Sequence, residues 1–439
     1  MPLTDELGNS VRDTIGDGLP VLGAGTTFED WLTLLSTPLP FLEGYANTAR
    51  RASAQQVTAA IAGELEKRAD DATQAPAPTW LLQLVALWHA ERAVVITFNY
   101  DLLVERALTT LRAVVAFRGD SPPHSLRGSQ VVYPSPNASV TPTMGDTAQP
   151  SGETFQLLKL HGSLNWFWAQ GDGATLVREH DRAAFGQPVD RDRLDLSGTR
   201  TLDRFLIPPV TSKDSYYDIN LVHMLWRSAY EAIKQASRLS ILGYSMPPGD
   251  RIAGELIRQA GSDVAVDIVN YDVGNVEVQN SPLGRAAQLG LDVEHSWTGA
   301  SSVADYARDR VASAAETAFS DLDFDEIATN SVVVSLPEVN GSGRYAALYA
   351  ENRENPSVVQ LPWPRVFSSE MPPNELALNE LPRGTSSLDF FFDGDRLAAA
   401  GRPFELTDGT NRLVAIGAEI QRMERWTVVH LKTAPASLE

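Results

Sequence analysis

The chain contains no cysteine. Disulfides are therefore excluded, and so is any zinc site built on thiolates. Long apolar runs are also missing. The most apolar window, Trp80 to Ile96, is interrupted by His89, Glu91 and Arg92 and is too short and too charged to span a bilayer. The opening Met1-Pro2-Leu3-Thr4-Asp5-Glu6 has neither a basic start nor an apolar stretch, so no secretory signal is expected and a cytoplasmic location is the default. Positive charge is scarce: 36 Lys and Arg face 56 Asp and Glu, for a formal net charge of −20. Such a surface argues against direct binding of a nucleic-acid backbone, while leaving a nucleic-acid-binding partner open. Three catalytic signatures are absent as well: Gly-x4-Gly-Lys-Ser/Thr, His-Glu-x-x-His and Gly-x-Ser-x-Gly. The seven histidines are scattered without metal-ligand spacing, so no metal site is expected.

What is present fits a globular protein of two or three domains: 439 residues, 43% hydrophobic and 21% charged. The chain is organised around Ala93-Val94-Val95-Ile96-Thr97-Phe98-Asn99-Tyr100-Asp101, an apolar run ending in a polar cluster. An amphipathic helix follows, with Leu103, Ala107, Leu108, Leu111 and Val114 on one face and Glu105, Arg106, Thr109 and Arg112 off it. A continuous apolar strand feeding a helix predicts a buried parallel strand in an α/β sheet. Polar groups at the carboxyl end of such a strand stand where ligands bind in doubly wound folds, beside a helix N-terminus that favours anions. Asn99 and Asp101 equally suit plain helix caps. A second apolar strand, Phe155 to Leu160, ends in His161-Gly162.

Together these motifs resemble the sirtuin superfamily, in which one strand ends in Thr-Gln-Asn-Ile-Asp and a later one in a catalytic His-Gly. The matching residues here are Thr97-Phe98-Asn99-Tyr100-Asp101 and His161-Gly162. The Phe and Tyr variants, and the longer His161-Gly162-Ser163-Leu164-Asn165-Trp166, look like the bacterial sirtuin-like proteins of antiphage defence, which destroy the cell's NAD pool. A third match lies after the strand Leu239–Leu242: Gly243-Tyr244-Ser245-Met246 corresponds to the Gly-Thr/Tyr-Ser-Leu turn that holds NAD phosphate and ribose in that family. The next strand, Val264 to Asn270, ends where the family places an Asn near the adenosine ribose, and Asp272 follows closely.

The resemblance implies a Rossmann-like, doubly wound parallel sheet with a helical insertion over 29–92, the whole domain spanning 1–325. It implies an NAD+ glycohydrolase that releases nicotinamide and ADP-ribose, with His161 as general base, Asn99 on the ribose or the attacking water, and Asp101 beside them. Thr97, Phe98, Gly243, Tyr244, Ser245, Asn270 and Asp272 would bind the dinucleotide. For the phosphate loop two readings stay open: Gly23-Ala24-Gly25, or a segment preceding Met1. Proline in the short run Leu19-Pro20-Val21-Leu22 weakens the first of these. Sirtuin deacylases carry a structural zinc ribbon built on thiolates, which the missing cysteines exclude here, and this shifts the expectation from protein deacylation toward hydrolysis of NAD itself. NAD-dependent transfer, by deacylation or ADP-ribosylation of a protein, and a non-catalytic nucleotide-sensing scaffold remain as alternatives. A homo-oligomer is expected, with a partner such as a translocase-type ATPase or an Argonaute-like protein.

Elsewhere, helices are expected over Phe28–Leu35, Ser53–Arg68 with Ser53 as N-cap, Pro78–Glu91, Asn220–Ser237, 250–259 and Ser301–Phe319. Loops are expected over 118–154 and 171–200. Trp166, Phe167 and Trp168 suit core packing or a stacking platform. Beyond the acidic Ser320–Asp325 the pattern changes to short β-rich runs, predicting an antiparallel accessory domain over 326–439.

Overall fold

The computed structural model describes residues 4–16, 25–111, 154–169, 176–178, 184–186, 202–210, 213–261 and 263–318. Towards the C-terminus it describes 331–339, 342–348, 360–363, 386–389, 405–407, 412–422 and 426–436. The loops expected over 118–154 and 171–200 fall almost wholly outside these residues, as does Gly23.

Four helices open the chain: α1 (Thr4–Ile15), α2 (Phe28–Ser36), α3 (Gly44–Thr73) and α4 (Thr79–Glu91). Thr27 caps α2, its hydroxyl accepting from the Asp30 N–H at 3.1 Å. Apolar stripes of α1, α2 and α3 meet in one cluster around Val11, Leu32, Val57 and Ile61. Ser53 is not a cap. It lies inside α3, and its hydroxyl donates back to the Ala49 carbonyl at 3.2 Å, so it does not compete for the helical N–H groups.

Two parallel sheets follow. Strand β1 (Val94–Thr97) leads into α5 (Leu103–Leu111) and pairs in parallel with β2 (Gln156–Lys159), Thr97 facing Lys159. An antiparallel sheet, β3 (Gly162–Ala169) between β4 (Leu176–Arg178) and β5 (Leu202–Leu206), continues from β2. Then come α6 (Asp214–Tyr217), α7 (Asn220–Gln235), β6 (Arg238–Leu242), α8 (Arg251–Ala260), β7 (Ala265–Asn270), α9 (Pro282–Gln288), β8 (Asp292–Thr298) and α10 (Ser302–Glu316). Strands β6, β7 and β8 form a second parallel sheet.

The strand pleat decides which helix covers which face. Val95 and Leu157 point to Leu81 and Val85 of α4 and Ala107 and Leu108 of α5, whereas Ile96 and Leu158 point to Leu221 and Leu225 of α7. In the second sheet Leu242 and Val269 meet α4 and α10, and Ile241 and Ile268 meet α8 and α9. Helices on both faces of parallel strands make this a layered α/β protein. Helix α4 packs on both sheets and so holds them side by side.

Three expectations are corrected. Among the described residues the parallel strands form two ladders rather than one continuous sheet. Strand β1 is only half-buried, with Val94 39% exposed, because a strand pairs with it on one side alone among those residues. Arg106 faces inward: it is fully buried and donates to Asp70 at 2.9 Å and Thr73 Oγ1 at 2.8 Å, which ties α5 to α3. Its charge is neutralised in place, which the helical pattern alone does not reveal.

The C-terminal strands are β9 (Ser331–Val339), β10 (Ser342–Leu348), β11 (Gln360–Trp363), β12 (Ser386–Asp389), β13 (Glu405–Thr407), β14 (Arg412–Arg422) and β15 (Trp426–Pro435). The sheet order is β10-β9-β15-β14-β13, and β9 runs parallel to β15, so the sheet is mixed rather than antiparallel throughout. Val414, Ile416 and Ala434 pack on Ala86 and Leu87 of α4 and Val311 and Ala315 of α10. Gln83 donates to the Pro435 carbonyl at 2.9 Å and Lys432 to the Ala90 carbonyl at 3.0 Å. Among the described residues no helix is long and apolar enough to cross a membrane.

Candidate functional site

Strand β2 runs out through Leu160 to His161, and the chain then turns at Gly162, whose φ is +87°. A Cβ on Gly162 would stand 2.1 Å from the Phe205 carbonyl oxygen, so only glycine fits there. The Ile207 N–H donates to the His161 carbonyl at 2.8 Å and pins the turn to the residues after β5. His161 is thereby held at the carboxyl end of the parallel pair. The Leu160 N–H donates to the Thr97 carbonyl at 3.0 Å and the Leu164 N–H to the Tyr100 carbonyl at 2.9 Å, so the segment 97–100 runs alongside 160–164.

The imidazole of His161 is buried, with the rings of Phe98, Tyr100 and Trp226 at centroid distances of 5.1, 6.4 and 6.5 Å. Its Nε2 lies 3.4 Å from Lys213 Nζ, and the ring also bonds the Phe98 main chain. An ammonium only donates, so beside Lys213 Nε2 is the acceptor. Burial first, and the Lys213 charge second, push the imidazole pKa down to about 3, against the upward pull of the Phe98 bond. His161 is neutral at cellular pH, with its acceptor nitrogen defined.

The β1 end supplies Asn99 and Asp101. Asn99 is exposed, and its main-chain N–H donates to Thr97 Oγ1 at 3.1 Å. Asp101 is buried, and its Oδ1 accepts from the Leu103 N–H at 3.0 Å, capping α5. Lys159, 1% exposed, donates to the Asp101 carbonyl, to Ser163 Oγ at 3.0 Å and to Glu105 Oε1 at 2.9 Å. Ser163 in turn donates to Asn165 Oδ1 at 2.7 Å. One buried cation thus joins the two strand ends to the first turn of α5. Tyr100 donates to the Ile207 carbonyl at 2.6 Å, and burial raises its pKa beyond the usual phenol range.

The second cluster follows β6. Gly243 has φ +64° and donates its N–H to the Val269 carbonyl at 2.8 Å. Tyr244 packs on Phe98 with ring centroids 4.9 Å apart, and its hydroxyl donates to Asp250 Oδ2 at 3.0 Å. Burial foremost, aided by that carboxylate, raises the Tyr244 pKa. Asp250 Oδ1 is 3.6 Å from Lys213 Nζ. Ser245 is exposed, Asn270 is half-buried at the end of β7, and Asp272 accepts from the Gly274 N–H at 2.9 Å.

Phe98 therefore touches both His161 and Tyr244, and brings Thr97, Asn99, Asp101 and the β6 turn to one end of the strands. Gly243, Ser245, Asn270 and Asp272 lie at the carboxyl ends of β6 and β7. Gly25 forms the exposed turn before α2, with nothing within 4 Å of the position a Cβ would take. Trp166 and Phe167 are core residues. Sequence reasoning missed Lys159, Lys213 and Asp250. Lys159 left a trace, as a lone cation inside the apolar strand Phe155–Leu160. Among the described residues no group of three or more His, Asp or Glu is placed to hold a metal ion. Comparison with protein-family models gives no match, and comparison with curated proteins gives none either.

Proposed function

We propose that the chain is a sirtuin-like NAD+ hydrolase that cleaves the nicotinamide–ribose bond and serves antiphage defence by depleting NAD. The observation that carries this reading is the neutral His161 at the end of β2, its Nε2 the acceptor and its strand in register with the one bearing Asn99. Nicotinamide departs as a neutral group from a cationic nucleotide, leaving an oxocarbenium-like ribose. One water adds to that carbon and gives its proton to His161 Nε2. Asn99 holds the ribose hydroxyls or that water. Asp101 keeps the β1–α5 connection in place. Thr97, Phe98, Gly243, Tyr244, Ser245, Asn270 and Asp272 contact the rest of the dinucleotide. The products are nicotinamide and ADP-ribose. The absence of cysteine favours hydrolysis over zinc-ribbon deacylation. We propose a cytoplasmic homo-oligomer, partnered with a translocase-type ATPase or an Argonaute-like protein.

The test is chromatographic measurement of nicotinamide and ADP-ribose released from NAD+ by wild type, His161→Ala and Asn99→Ala, with cellular NAD followed during phage infection. Loss of a general base slows turnover by about 10²- to 10⁴-fold. Equal rates for wild type and His161→Ala overturn the assignment. A labelled or deacylated acceptor protein in place of free ADP-ribose identifies transfer. Saturable NAD binding without nicotinamide release identifies a sensing scaffold.

A further inference from the structure

Lys213 lies between two acceptors and is well bonded to neither. Its Nζ stands 3.4 Å from His161 Nε2 and 3.6 Å from Asp250 Oδ1. Charge-assisted bonds close to about 2.7–2.9 Å, so a shift of under about 1 Å towards Asp250 would complete an ion pair and uncover the imidazole. The Lys213 side chain is 13% exposed, so these contacts are made largely out of bulk water. Asp250 is itself positioned: its other oxygen accepts from Tyr244, whose ring packs on Phe98, whose ring packs on His161. A closed circuit of contacts thus links the turn after β6 to the base.

We infer that Lys213 is a movable stopper on His161: its ammonium occupies the acceptor lone pair at rest and is drawn off when an anionic ligand group reaches the β6–α8 turn. The consequence for turnover rests on the hydrolase reading, whereas the contact itself does not. While Lys213 donates to Nε2, that nitrogen cannot take a proton from water. A ligand diphosphate offers oxygens that compete for the ammonium, so the base is released only with substrate in place. Of the other titratable groups here, Tyr100 meets the imidazole ring directly, Tyr216 of α6, Glu29 of α2 and Asp250 act on Tyr100, and Asp250 and Tyr217 of α6 act on Tyr244. Burial raises the pKa of Tyr100, Tyr216 and Tyr244, so these phenols stay neutral, and Lys213 is the cation in direct contact with the ring.

The experiment is a pH titration of ring-¹⁵N-histidine resonances in the full chain, for wild type, Lys213→Met, Lys213→Arg and Asp250→Asn, with ADP-ribose as probe ligand. Removing a cation in contact should move His161 protonation upward by about one pH unit or more. Lys213→Arg should restore the wild-type value, which a purely structural defect would not. Asp250→Asn should shift the Nε2 resonance further towards the hydrogen-bonded position. Saturating ADP-ribose should move it the other way. Lys213→Gln replaces Lys213→Met should the latter not fold. Identical His161 titrations in wild type and Lys213→Met, or Lys213→Gln in its place, overturn the stopper, as does an Nε2 resonance unmoved by bound ADP-ribose. Failure of ADP-ribose to bind tells against the dinucleotide site instead, and the titrations still decide the role of Lys213.

Discussion

Gly162 and Phe205 occupy adjoining backbone positions so tightly that a single Cβ on the glycine would overlap the Phe205 carbonyl oxygen, at 2.1 Å. The glycine after His161 is thus fixed by packing and by its φ of +87°. Gly162→Ala must move β3 away from β5 or tilt the His161 peptide. We expect a loss of about 2 kcal/mol or more in urea unfolding, from left-handed strain plus overlap. A fully stable Gly162→Ala chain would show that the two strands can separate without cost.

Lys159 is buried with Glu105 at 2.9 Å, and it also holds the Asp101 carbonyl and Ser163. Removing one partner of such a pair leaves an uncompensated charge, which costs about 3–5 kcal/mol. Lys159→Met should therefore lower the unfolding midpoint sharply. Lys159→Met combined with Glu105→Gln should recover part of the loss, since the orphaned carboxylate is then gone. A double-mutant cycle of unfolding free energies measures this coupling, and strict additivity would contradict it.

The strand ends were legible because apolar runs, a helix start and the His-Gly pair each leave a local pattern. Val94–Thr97, Gln156–Lys159 and Arg238–Leu242 form where that pattern placed strands. What stayed hidden depends on long-range pairing. Arg106 reads as a surface residue until Asp70 and Thr73, over thirty positions away in sequence, are seen to hold it, the first by neutralising its charge and the second by accepting a hydrogen bond. Lys213 and Asp250 carry no local signature at all, and acquire meaning only because Lys213 reaches His161 and Asp250 holds Tyr244, whose ring packs on Phe98 beside His161. Ser53 misled for the opposite reason: a good cap residue has no effect on helix start when the preceding turn is already helical.

Asp101 and Asn99 stand two residues apart but do different work. Asp101 caps α5 through the Leu103 N–H, so Asp101→Ala should cost about 1 kcal/mol. Asn99 has an exposed side chain, and Asn99→Ala should alter stability by less than about 0.5 kcal/mol. Under the proposed function Asn99→Ala nevertheless stops nicotinamide release, while Asp101→Ala weakens fold and turnover together. Calorimetry beside the nicotinamide assay separates the two. An Asn99→Ala chain that is both stable and fully active would remove Asn99 from the site.

His161 makes folding pH-dependent in a defined direction. Its pKa falls from an ordinary 6.5 to about 3 on folding, through burial first and Lys213 second. Between those values the unfolded chain binds a proton that the folded chain refuses. The contribution is therefore full above pH 6.5, and stability declines as pH drops through the window towards 3. The slope from one such group is at most about 1.4 kcal/mol per pH unit. His161→Gln removes the titrating group and leaves every carboxylate in place. From pH 7 to pH 5 the wild-type chain should lose about 2 kcal/mol more than His161→Gln, measured by urea unfolding at each pH. Parallel pH profiles for the two chains would mean that the imidazole is protonated without cost in the folded state, and that Nε2 is open to water rather than held beside Lys213.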